Sequence, residues 1–133
     1  MARFQTVLPS AARGTTTTPA SGGGYSTHES SLVIMTVDTT AGAGTSLIVK
    51  LQGFDPVSGK WFDVTDGTSV AQCQALTSTQ TAVLVVGPGI TTKAPANGGT
   101  YQSLSTVVPA QLRVVSTVAG ANPTFSVGLS FLP

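Results

Sequence analysis

Charge is the scarcest property of this sequence. Of its 133 residues, 6 are Lys or Arg and 5 are Asp or Glu, 8% in all, for a net charge of +1. An ordinary globular domain carries about 25% charged residues. So few cations leave no electrostatic footprint for nucleic acid or for an anionic membrane, and neither is expected as a partner. A single Cys excludes a disulfide framework and a Cys-rich zinc site. A single His leaves any nucleophilic triad one base to choose from. Helical periodicity is missing as well. No stretch long enough for a stable helix shows a 3.6-residue apolar repeat with caps. Apolar runs are short: Val83 to Val86 falls far below the ~20 residues that cross a bilayer. No leader is apparent, since Val7-Leu8 runs straight into Pro9, and the chain reads as soluble and made in a cytoplasm.

Hydroxyls and turn formers take the place of charge: 21 Thr, 14 Ser, 15 Gly and 8 Pro. The apolar fraction is 41%, so the chain has a core to bury and lacks the composition of a disordered one. Its length suits one domain. Residues 1–27 read as an N-terminal arm: a short strand over 3–8, then a low-complexity tether containing Thr15 to Thr18 and Gly22 to Gly24. Residues 28–133 read as the folded domain.

There the period is two. Leu47, Val49 and Leu51 alternate with Ser46, Lys50 and Gln52, although Ile48 breaks the polar face. Leu112, Val114 and Val118 do the same around Arg113 and Thr117, and Phe125, Val127, Leu129 and Phe131 form the cleanest stripe. Turn signals separate the runs: Asp55-Pro56 through Gly59, Asp66-Gly67, Gly87-Pro88-Gly89 and Asn97-Gly98-Gly99. Strands are expected near 3–8, 30–38, 45–54, 60–65, 69–75, 80–86, 110–118 and 123–132. Seven or eight short strands predict an all-β fold, a single antiparallel β-sandwich of immunoglobulin-like or jelly-roll type with an extended N-terminal arm. The 87–109 link is long for a compact domain and has the character of a binding loop.

The chemical inventory is thin. His28 stands beside Glu29 at the edge of the tether, and a mobile base cannot hold catalytic geometry. Cys73 lies in an alternating run with no cation near it in sequence, the setting of a buried small hydrophobe. Asp63, Asp66 and Gly67 faintly resemble a calcium loop but supply too few oxygens, and a turn explains them. Asp55 and Asp63 could span a hairpin as a carboxylate pair, yet the aromatic and Arg lining of a sugar cleft is lacking. Trp61 is expected to anchor the core at a hairpin exit. The glycine-rich stretches precede no helix and so cradle no phosphate. No enzyme, no cofactor and no metal site is expected.

The string Leu51-Gln-Gly-Phe-Asp-Pro-Val-Ser-Gly-Lys-Trp-Phe-Asp-Val64 resembles a hairpin of small proteins encoded among the head genes of tailed bacteriophages. The run Leu112-Arg113-Val114-Val115 and the closing Phe125-Ser-Val-Gly-Leu-Ser-Phe-Leu132 resemble the last two strands of the same proteins. Pro88-Gly89-Ile90 with Pro109, and the opening Met1 to Leu8 with Ser10 to Arg13, are similar too. The resemblance implies a capsid decoration (cement) protein on the outer surface of the virion, with the major capsid protein and further copies of itself as partners. A trimer is favoured over a dimer. Candidate contacts are Arg3, Phe4, Val7, Leu8 and Arg13 on the arm, which could add a strand to a neighbour's sheet, and Lys93 and Tyr101 on the 87–109 link. Two other classes stay open: a receptor- or glycan-binding module of a tail or head fibre, and a tail or connector ring component.

Overall fold

The computed structural model describes residues 2–19, 23–27, 30–42, 45–94 and 100–133, and the description below concerns these. They are all-β, with no helix, in the order β1 (Arg3–Ala12), β2 (Thr16–Thr18), β3 (Tyr25–Ser26), β4 (Leu32–Ala41), β5 (Ser46–Asp55), β6 (Lys60–Asp63), β7 (Gln80–Gly87), β8 (Tyr101–Ser105), β9 (Gln111–Ala119) and β10 (Thr124–Leu132). Two sheets pack face to face. The first has the order β1-β10-β4-β7-β8; the second has β2-β9-β5-β6, with β3 also on β9.

The period-two stripes decide which face of each strand is inward. Val33, Met35 and Val37 of β4 meet Leu47, Val49 and Leu51 of β5 in one core, with Ala82, Leu84 and Val86 of β7. Leu112 and Val114 of β9 and the Phe125–Phe131 stripe of β10 complete it. Fully burying such side chains stabilises the fold by about 1.5–3 kcal/mol each. The β5–β6 hairpin follows from its turn residues. Asp55 accepts hydrogen bonds from the Val57 amide (3.0 Å) and the Ser58 hydroxyl (2.7 Å). Gly59, at φ +71°, takes the left-handed conformation that closes the turn.

Four expectations need correction. The first concerns 1–27: its described residues form part of the sandwich. β1 runs ten residues, not six, along the edge of β10 in antiparallel register from Arg3↔Phe131 to Ala12↔Thr124, and buries Val7 in the core. β2 and β3 then pair with β9, so the chain crosses from one sheet to the other. A Thr-rich strand fills no core, but its backbone amides still pair. Secondly, the expected strand at 69–75 is absent as a regular element. The stretch lies irregularly along β5 instead, bonded at Leu51–Ala71, Val49–Cys73 and Leu47–Leu76. Thirdly, the 87–109 link contains a strand, β8, whose Leu104 reaches the core and which pairs in parallel with β7. The sandwich is thus antiparallel except at that pair, and the described residues hold ten strands rather than seven or eight. Fourthly, Trp61 lies outside the core, on the outer face of the second sheet.

Candidate interaction surfaces

The seven residues singled out from the sequence fall at the two edges of the first sheet. Val7 is buried, and Leu8, half-buried, packs against the core, so both serve this chain's own sandwich. Arg3 and Arg13 clamp β1. Arg3 donates to the Ser26 carbonyl (2.6 Å) and lies 4.6 Å over the Phe131 ring. Arg13 donates to the Phe125 carbonyl (2.8 Å) and lies 5.2 Å from the Phe125 ring centre. Each guanidinium covers one end of the phenylalanine stripe, an arrangement its flat, weakly hydrated group suits.

Phe4 and Tyr101 do stay outside, 77% and 46% exposed. Strand register puts them on one face. Phe4 is opposite Ser130, Ser130 opposite Ile34, and Ile34 opposite Val85; the next row is Thr6, Gly128, Thr36, Val83 and Tyr101. This outer face of the first sheet is apolar-to-hydroxyl, with Asp38, bonded to Thr81 (2.9 Å), the one carboxylate along these strands. Lys93 sits beside it, its ammonium 5.6 Å over the Tyr101 ring. The Lys93 backbone bonds Ser103 in both directions and so covers the free edge of β8. Five strands at ~4.8 Å spacing and nine residues at ~3.3 Å give a footprint of roughly 700 Å². That is close to the ~800 Å² one partner contributes to a standard protein interface.

The outer face of the second sheet is of the opposite kind. The row Arg113–Gln52–Asp63 crosses β9, β5 and β6. Arg113 Nε donates to Gln52 Oε1 (2.7 Å), Gln52 Nε2 donates to Asp63 Oδ1 (2.8 Å), and Lys50 Nζ lies 3.0 Å from the same oxygen. These bonds, first that from Gln52 and then that from Lys50, hold the Asp63 carboxyl below the usual carboxylate range. Arg113 rests on Trp61, its Cζ 4.4 Å from the ring centre, and Trp61 in turn touches Phe54 at 4.8 Å. Burial against these neighbours lowers the Arg113 pKa. Gly24 makes the stack possible, since a Cβ there would fall 2.7 Å from the Trp61 ring. Sequence reasoning missed this cluster because it is assembled from three segments far apart in the chain: Gly24, the β5–β6 hairpin and Arg113. The one signal was a period-two polar face carrying both a Trp and an Arg.

The remaining candidates resolve into structure. Cys73 is buried, accepts a bond from the Val49 amide (3.2 Å), and has its pKa raised to about 11 by desolvation. Asp66 accepts from the Ser69 and Thr68 amides, which lower its pKa and make it a turn residue. His28 and Glu29 lie outside the described residues. An open cleft of about 340 Å³ at one end of the sandwich is lined by Thr27, Ser30, Ser31, Pro88, Val107, Val108 and Ala110. It holds no ionisable group among the described residues, and the Thr27 hydroxyl is committed to the Pro109 carbonyl (3.0 Å). Comparison with protein-family models, with curated proteins and with solved structures gave no match.

Proposed function

We propose that the chain is a non-enzymatic structural protein of a phage virion that binds the outside of the assembled capsid and stabilises it by bridging major capsid subunits. The observation that supports this reading best is the outer face of the first sheet. It is a surface of apolar and hydroxyl side chains with Phe4 and Tyr101 exposed on it, wide enough for one standard protein contact. Asp38, bonded to the Thr81 hydroxyl, is the one carboxylate on these strands that such a face would bury when it meets another protein. The hairpin and closing strands that resemble phage head proteins agree with it. On this reading the sandwich is of immunoglobulin-like or jelly-roll kind, synthesised in the host cytoplasm. It sits on the shell in many copies, as a trimer, where modest contacts add through multivalency.

The test is binding of the purified protein to expanded shells prepared without it, with electron microscopy to locate it and count copies. Hundreds of copies on the shell are expected; absence from the shell, or a handful of copies at the tail, overturns the reading. The glycan-binding alternative gains one observation, the aromatic and polar cluster on the second sheet. However, Trp61 has Arg113 against one ring face and Phe54 and Gly24 beside it, which leaves little ring for a sugar to stack on.

A further inference from the structure

We propose that Arg113, seated on Trp61, is an anchoring site for a carboxylate side chain of a protein partner. The three arginines of this chain are used differently, and the contrast carries the inference. Arg3 and Arg13 turn their Nη groups onto backbone carbonyls of their own fold. Arg113 uses only Nε, bonded to Gln52, and its Nη groups meet no acceptor among the described residues.

The described carboxylates are committed elsewhere. Asp63 serves Gln52 and Lys50, Asp55 and Asp66 close turns, and Asp38 is on the opposite sheet. The bond to Gln52 engages the guanidinium at Nε and leaves the two Nη groups without a bond of their own among the described residues. That pair is the donor fork that receives a carboxylate in two parallel bonds. Because Trp61 and Gln52 already hold the side chain, little rotamer freedom is left to lose on binding. A part-buried Arg on a Trp also has the residue types of an interface hot spot.

The neighbourhood selects the ligand. Lys50 is neutralised by Asp63, so one positive charge is on offer beside a nearby negative one. This suits a singly charged carboxylate and disfavours a phosphate dianion. An acidic saccharide would lack ring area to stack on, as argued above. The inference deepens the shell-binding reading and depends on it only for the identity of the partner.

Trp61 is the only tryptophan, so its fluorescence reports on this site alone. The full chain is titrated at low ionic strength with an end-blocked tetraglutamate peptide, with the tetraglutamine peptide, inorganic phosphate and an oligogalacturonate run in parallel. A saturable change with tetraglutamate, absent with tetraglutamine and weakened at least tenfold in Arg113→Gln and Arg113→Lys, is expected. No response to tetraglutamate, an equal response in Arg113→Gln, or a response to galacturonate or phosphate alone overturns the proposal. Unfolding midpoints of the variants verify that both fold. In the shell assay, Arg113→Gln is expected to bind at least tenfold more weakly than the parent chain; equal binding overturns the proposal. Failure of the parent chain itself to bind shells refutes the shell reading, and the peptide titration still decides the carboxylate site.

Discussion

Asp55, Asp63 and Asp66 each accept hydrogen bonds that hold their carboxyls below the ordinary range. A lowered folded pKa means that the unfolded chain binds protons more readily. The stabilisation is therefore complete above the unfolded carboxylate value, near pH 4, and is lost as pH falls through the lowered folded values. Acid unfolding curves are expected to steepen below about pH 4, and Asp63→Asn should flatten that slope; an unchanged slope would show that Asp63 is not involved. Gly59 offers a cleaner case, because a Cβ there meets nothing within 4 Å. Gly59→Ala should cost about 1–2 kcal/mol in denaturant melts, from the left-handed backbone alone. Cys73, with its pKa raised to about 11, should resist a thiol reagent at pH 8 until the chain is unfolded. At this scale the turn was legible, since Asp55, Pro56, Ser58 and Gly59 act on one another within a few residues. The Arg113–Trp61 stack was not, because nothing in either residue's neighbourhood announces the other.

Among elements, β1 departs furthest from the sequence reading. Polar and Thr-rich composition marks a segment that cannot fill a core, but it does not say whether an edge strand elsewhere will accept its amides. β10 accepts them, and the Arg3 and Arg13 clamps fasten the pair at both ends. Val7→Ala should destabilise the fold by about 2 kcal/mol, measured by chemical denaturation. Removal of residues 2–12 should leave β10 as an open apolar edge and drive aggregation. A soluble, cooperatively folded truncation would show that β1 is dispensable. The strands with clean alternation, β4, β5, β7, β9 and β10, were legible because burial on one face imposes the pattern. β8 was hidden, as its parallel pairing to β7 and the cover from Lys93 bury a polar Ser103 and leave no simple alternation.

For the whole molecule, the two outer faces differ in kind: one carries a single carboxylate among apolar and hydroxyl side chains, the other a guanidinium held by Gln52 on Trp61. Phe4→Ser with Tyr101→Ser should leave unfolding free energy within about 0.5 kcal/mol of the parent while weakening shell attachment; undiminished attachment would move the contact elsewhere. The fold class was readable from period and turns. The faces were not, because register between distant strands decides which exposed side chains stand together. That register has one more consequence. β10 lies between β1 and β4, and its partner β1 is the first strand described. A ribosome therefore delivers β1 and β4 long before the strand that joins them. Until β10 emerges, β1 lacks its sheet partner and the core lacks its phenylalanines. β4 can pair with β7, and β5 with β6, during synthesis, but β1 and the facing edge of β4 stay unpaired until β10 enters between them.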